Sequence, residues 1–449
     1  MKTGASMGAR FFYSCGLCVN AAGRSIRPPS DRRHFTKICE IKFEAFHTVK
    51  TAMSLITSKS WLDPILPDAL PPSIIALADA LPRKTQFLAG RLPSETAARL
   101  GRLLQITNTY YSNLIEGQYT EPAEMQKAQA APVKDRKQLK NPAVEQMAVQ
   151  ALLERVLRQR APFAWGDMFA PELVSTAHKR LFSGASDAER TLSDSSIMQP
   201  GILRSVTGHN VVVGNLDAPD ACAVDGMLRH LQAGFGRQTD SRRQLISALA
   251  YHHRLAWVHP FADGNGRVAR LVTHLQLVSL GLKPTLWSLS RGLARQHQDY
   301  YTALTMADRR REGDLDGRGQ LSQRRYFEFI EFMLQVCHDQ VDYMTAAVDP
   351  SQLRERVIHA FHYNEKLIKQ GIRPESAPAI IALITQGSLP RNEIKTFTGL
   401  TPRPAIDELS RLIKVGLVES RTPKSRFVTP GLPAWFAQDI FPDLHRRFQ

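Results

Sequence analysis

The sequence predicts a mainly α-helical protein with two folded parts: a helical core carrying one small β-hairpin, and a C-terminal winged helix-turn-helix domain. Three observations predict it. Apolar residues recur at helical spacing through most of residues 60–345. One β-branched run, Val211-Val212-Val213, is bounded by Asn210 and Gly214 and reads as a hairpin arm. After residue 350, three short helical patterns precede two strand-like runs, which is the order of a winged helix-turn-helix.

The 449 residues lead us to expect two or three domains. With 43% apolar and 22% charged residues the chain can bury an ordinary core. No apolar run approaches 18 residues, so no membrane-spanning helix and no membrane partner are expected. Five cysteines exclude a disulfide scaffold and point to a reducing, cytoplasmic compartment. The Cys15–Cys18 pair lacks the second pair a zinc site needs, so it reads as two unrelated thiols. Fifty-eight Lys and Arg against 42 Asp and Glu leave a net charge of +16. That balance favours polyanionic partners such as nucleic acid, nucleotides or an anionic membrane surface.

Residues 1–55 read as a basic tail without order, or as an over-called start with Met53 as the first residue. The weakly apolar stretch Phe11–Val19 is broken by Ser14, Cys15 and Gly16, which argues against an export signal. Residues 60–160 form an N-terminal helical region. An extended Pro-rich connector at 66–72 leads into helices marked by Ile75, Leu77, Leu81 and then by Leu100, Leu103, Leu104, Ile106, Tyr110, Leu114. Gly117 ends the second of these as its cap. Residues 121–140, with Lys134, Arg136, Lys137 and Lys140, read as a solvated loop. Helical patterns return at 142–158, 173–182, 221–234, 240–258, 266–280 and 294–307, the last five inside a core at 161–345. In the C-terminal domain, 350–449, helices are expected at 377–386, 390–398 and 402–415. Strands are expected at 417–419 and 426–429.

The most informative stretch runs from His259 to Arg270, His-Pro-Phe-Ala-Asp-Gly-Asn-Gly-Arg-Val-Ala-Arg. An apolar-periodic helix stops at Pro260, and a new one begins after Gly264-Asn265-Gly266. Glycines at a helix start let backbone N–H groups approach a phosphate, and the helix dipole favours the anion. Arg267 and Arg270 lie on neighbouring turns, with guanidinium forks suited to phosphate oxygens. Asp263 beside that nest would repel phosphate unless it holds a cation such as magnesium. His259 is placed to take a proton from a hydroxyl nucleophile.

These residues match, without departure, the motif H-x-F-x-[DE]-G-N-G-R-x-x-R, and the chain resembles the Fic family over about residues 60–345. The resemblance implies a Fic-type helical core with a hairpin flap that binds ATP and Mg2+. AMP is then transferred to a Ser, Thr or Tyr hydroxyl of a target protein or of the chain itself. It makes His259 the general base and Asp263 the metal ligand. Gly264, Asn265 and Gly266 become the anion hole, with Val268 and Ala269 completing the nucleotide-binding stretch. Arg267 falls on the α/β-phosphates and Arg270 near the γ-phosphate. Ser112-Asn-Leu-Ile-Glu-Gly117 resembles the family's inhibitory motif, with Ser112 and Glu116 on one helix face so that Glu116 can occupy Arg270. Val212, Val213, Gly214 and Asn215 sit where the family has its flap. Tyr300, with Tyr301 and Asp308, resembles the helix that contacts adenine and ribose, although Asp308 replaces a frequent Asn and only accepts hydrogen bonds. Tyr300 reads equally well as a core aromatic.

Two classes of function stay open. One is a self-inhibited adenylyltransferase, with AMP removal (de-AMPylation) as the alternative activity of the same site. The other is a DNA-binding regulator that uses the Fic fold as a nucleotide sensor, with Arg403, Arg411 and Lys414 on a recognition helix and Arg421, Lys424 and Arg426 on the wing. The intact His259 favours the enzyme, because a sensor needs the anion hole and no base. A homodimer is compatible with both.

Overall fold

Among the described residues, twelve α-helices build the first part of the protein and six more the second. The computed structural model describes residues 47–50, 56–130, 142–159, 164–204, 210–213 and 216–446. In chain order the first part comprises strand β1 (His47–Lys50), then α1 (Pro72–Gly90), α2 (Ser94–Ile115), α3 (Pro122–Ala130), α4 (Pro142–Gln159), α5 (Pro171–Phe182) and the single turn α6 (Asp187–Arg190). Strands β2 (Asn210–Val213) and β3 (Leu216–Asp217) follow. The chain continues through α7 (Val224–Gly236), α8 (Ser241–Val258), α9 (Asn265–Ser279), α10 (Leu289–Arg295), α11 (His297–Ala307) and α12 (Gln323–Ala347). The second part holds α13 (Pro350–Tyr363), α14 (Glu365–Lys369), α15 (Ala377–Gln386), β4 (Leu389–Pro390), α16 (Ile394–Thr398), α17 (Pro402–Lys414), β5 (Val418–Glu419), β6 (Phe427–Pro430) and α18 (Ala434–Ile440). None of the described helices is long and apolar enough to cross a membrane.

Helix α8 is the centre of the core. Asp240 caps it by accepting from the Arg243 N–H, and nearly every side chain from Leu245 to Val258 is buried. A helix buried on all sides must be covered on all sides, and α1, α7, α9 and α12 pack around it. Helix α2 lies against α4, α10 and the C-terminal strand β6. The chain after residue 350 forms a three-stranded antiparallel sheet in the order β4-β6-β5, packed by α15.

The structure departs from the sequence reading in four places. Residues 122–130 are helical rather than a loop, because Pro122 starts the helix and Met125 is fully buried. The basic residues 134–140 lie outside the described residues. The expected 294–307 helix is two helices, since Ser288 caps an earlier start by accepting from Arg291 N–H, and Gln296 breaks the run. Residues Leu389–Pro390 pair with β6 as a strand, so the short helix begins only at Ile394. Finally, residues 47–50, read as part of an unordered tail, form β1. It pairs antiparallel with β2, His47 opposite Val213 and Lys50 opposite Asn210. Cys15, Cys18 and Cys39 lie outside the described residues.

Candidate active site

The loop between α8 and α9 is built by four devices. Pro260 disfavours helical backbone at the residue before it and so ends α8, and His259 closes the helix in the left-handed region (φ 50°, ψ 60°). The buried Arg204 then fixes that turn. Its Nε donates to the His259 carbonyl (2.7 Å), its Nη2 to those of Val258 and Pro219 (both 3.1 Å), and its own N–H to the Pro260 carbonyl (2.9 Å). Burial lowers the Arg204 pKa to about 10, still far above neutrality.

Asn265 closes the loop on itself. Its Oδ1 accepts from the Phe261 N–H (2.9 Å) and its Nδ2 donates to the Phe261 carbonyl (2.8 Å). Its side chain is therefore a brace, and only its backbone faces an anion. His178, on α5, is the last device. Gly201 N–H donates to its Nδ1 (2.8 Å), so the ring proton sits on Nε2 and is donated to the Asp263 carbonyl (3.1 Å). Burial holds the His178 pKa down at about 4, so the ring is neutral, and it stacks on Phe261 with centroids 3.8 Å apart.

Gly264 (φ 79°) opens α9, and a side chain there would collide with the Phe182 ring as well as strain the backbone. The first turn of α9 points its free N–H groups at whatever anion lies in front of it. Here that anion is Glu116. A Cβ on Gly266 would overlap Glu116 Oε1, so the carboxylate lies directly against the helix start. The same oxygen accepts from Arg270 Nη2 at 2.6 Å. Arg270 is 2% exposed, and its Nε and Nη2 also donate to Ser112 Oγ (3.0 Å) and Ser112 O (2.9 Å). Burial alone would lower the Arg270 pKa, but the adjacent Glu116 charge turns the net shift upward.

Arg267 is less fully engaged. Its Nη1 donates to Gln118 Oε1 (3.2 Å) and its Nη2 approaches Asp263 Oδ2 (3.4 Å), while the guanidinium lies 4.5 Å over the Phe182 ring. Its buried Nε has no hydrogen-bond partner in the structure. The site therefore offers donors that ask for an anion: an orphaned Arg267 N–H, the α9 N-terminus, and an Arg270 now held by Glu116. Asp263, about one-third exposed beside them, is the carboxylate that could hold a divalent cation there together with phosphate oxygens.

The sequence placed His259, Asp263–Arg270 and Ser112–Gly117 in one site, and the structure brings them together. Val268 and Ala269 are buried in the core and contribute backbone only. Val212 and Val213 lie in β2, whereas Gly214 and Asn215 lie outside the described residues. Tyr300 is a core aromatic, fully buried. Thr273 Oγ1 donates to Ala269 O, so His252 Nδ1 donates to Thr273 and the Tyr300 hydroxyl donates to His252 Nε2 (2.8 Å). Asp308 Oδ1 accepts from His253 Nε2 (3.0 Å), which ties the carboxylate to α8 through one of its two oxygens. Arg204, His178 and Gln118 escaped the sequence reading. Arg204 sits in a Gly- and Ser-rich stretch with no periodicity, and His178 looks like any histidine on an apolar helix. Replacing Arg204 by alanine leaves three buried carbonyls without a donor and is expected to cost about 2–4 kcal/mol of stability. A chemical-denaturation midpoint equal to that of the unaltered protein would contradict that role.

Between the buried helices α8 and α9 the loop thus presents helix-start amides and two arginines suited to an anion. Residues 169–277 match the model of the Fic/DOC family. Over those residues the chain is similar to Fic domains. Among curated proteins it is similar to the protein adenylyltransferase Fic of Drosophila virilis, 29% identical over 143 residues, which is 32% of this chain and 25% of that protein. The enzymes of the same name from Nematostella vectensis and Drosophila mojavensis are 37% identical over 57 residues and 33% over 78. Those matches span 13% and 17% of this chain, and only 12% and 14% of the relatives. Among solved structures it is similar to a Fic family protein from Desulfovibrio desulfuricans (20% identity, TM-score 0.43, 82% of this chain and 98% of that one). It is also similar to Fic-1 (residues 134–508) from C. elegans (16% identity, TM-score 0.42, 61% and 72%).

Proposed function

We propose that the chain transfers AMP from ATP to a hydroxyl of a target protein or of itself, and that Glu116 holds it in an inhibited state. The observation that carries this reading is the Glu116 carboxylate seated on Arg270 at the start of α9. An anion already occupies the anion site, and it belongs to the protein. Arg267, Arg270 and the α9 N-terminus would bind the phosphates, and Asp263 would hold Mg2+. ATP would supply an activated α-phosphorus, and Mg2+ would neutralise charge on the phosphates. His259 would accept the hydroxyl proton as the target oxygen bonds to that phosphorus and the bond to pyrophosphate breaks. Incubation with α-labelled ATP and Mg2+ tests the reading: label on protein supports transfer, and nucleotide retention without label would favour a sensor.

The C-terminal helices and strands support a second role in DNA binding through a winged helix. Arg403, Lys414, Arg421, Lys424 and Arg426 are exposed, whereas Arg411 is held by the buried Glu408 and is not free for a phosphate. Retention on duplex DNA should fall with salt at a logarithmic slope of about −0.9 per phosphate contacted. Salt-independent or absent retention would leave the domain a protein-interaction module. We place the protein in the cytoplasm, a compartment that suits a chain whose Cys222 and Cys337 are free thiols.

A further inference from the structure

We infer that the C-terminal module is a latch that holds the inhibitory helix α2 in place. The inference rests on the inhibitory reading of Glu116 given above. Helix α2 carries two sets of contacts on opposite faces. At 3.6 residues per turn, Thr96, Arg99, Thr107 and Tyr111 share one stripe, and Ser112 and Glu116 project about half a turn away.

These four residues of the first stripe meet the C-terminal module. Thr96 Oγ1 donates to the Ile384 carbonyl at the end of α15 (2.8 Å). Arg99 pairs with Glu419 on β5 and donates to Thr429 Oγ1 on β6 (3.1 Å), and Arg102 adds a looser contact to Glu419 (3.9 Å). Thr107 Oγ1 lies 2.9 Å from Nε2 of the buried His445, and the Tyr111 hydroxyl donates to the Arg446 carbonyl (2.9 Å). The turn at 443–446 is itself held by Arg291 of α10, which donates to Asp443 O (3.1 and 3.3 Å). The contacts run nearly the whole length of the helix, so the module backs α2 while its other face delivers Glu116 to Arg270. A rigid helix pressed between two bodies transmits displacement of one to the other. Whatever loosens the module from α2 should withdraw Glu116 from the anion site.

The Arg99–Glu419 pair allows a test in the full-length protein, because its two charges can be exchanged. Arg99→Glu and Glu419→Arg should each raise AMP labelling from α-labelled ATP by about 5-fold or more. The double reversal should restore the low rate, which a merely misfolded variant would not do. In a Glu116→Gly background the reversals should add nothing, since the inhibitor is already gone. Amide exchange along α2 should accelerate in each single reversal and recover in the double. If Glu116→Gly activates but the reversals leave labelling unchanged, the latch is overturned and the inhibitory reading survives. Equal activation by the reversals with or without Glu116 would also overturn the latch, because the module would then act elsewhere. If Glu116→Gly fails to activate, the inhibitory reading falls, and unchanged α2 exchange in the reversals would remove the mechanical part as well.

Discussion

Replacing His259 should lower AMP transfer by ~10²–10⁴-fold, the usual cost of a lost general base, while leaving nucleotide binding close to normal. The separation follows from the architecture. His259 belongs to the end of α8, whereas the phosphate donors Arg267 and Arg270 and the free amides belong to α9. Its backbone is in the left-handed region, where alanine is strained, so His259→Asn is the better variant: asparagine tolerates that conformation and cannot act as the base. Label transfer is read from α-labelled ATP and binding from calorimetric titration. Transfer at the unaltered rate in both His259→Asn and His259→Ala would remove the histidine from the mechanism.

The second large effect is expected at Glu116. Glu116→Gly removes the carboxylate from the first turn of α9 and from Arg270, and should raise labelling by tenfold or more. Each tenfold needs only ~1.4 kcal/mol, within the range of one partly buried charged pair. Arg270 stays anchored, because its bonds to Ser112 O and Oγ do not depend on Glu116. Glu116→Gln, which keeps the shape and loses the charge, should fall between the two. Adding His259→Ala to Glu116→Gly should silence transfer again, since a vacated anion site cannot supply a base. An inactive Glu116→Gly with intact ATP binding would count against inhibition at this position. Loss of AMP removal from a modified target would instead assign Glu116 to the reverse reaction.

The loop residues were legible in the sequence because their chemistry is local. A helix stop, a glycine pair and two arginines one turn apart define the site within twelve residues. Glu116 was legible for a related reason, since its pairing with Ser112 at four-residue spacing is a helix-face relation. What escaped was long-range. Arg204 is 55 positions from the carbonyl it grips, and Tyr111 is 335 from its acceptor, so no periodicity announces either contact. Tyr300 and Asp308 show a second kind of long-range relation. Their residue types suit a nucleotide, but buried histidines on α8 bind both, and nothing in a linear pattern reveals that His252 and His253 face them. Most helix limits agreed to within a few residues, except where a cap at Ser288 or strand pairing at Leu389 overrode the apolar spacing.

The small sheet carries one more consequence. Strand β2 lies between β1 and β3, with β1 along all four of its residues and β3 at Val212 and Val213. Any peptide that would zip onto β2 along the β1 side faces a competitor on the same polypeptide. Such a tethered rival acts at an effective concentration on the order of millimolar. An incoming strand must therefore outbid residues 47–50 or settle for an outer edge of the sheet, and shortening the chain to begin after residue 50 should raise the affinity of β2 for any strand offered from outside.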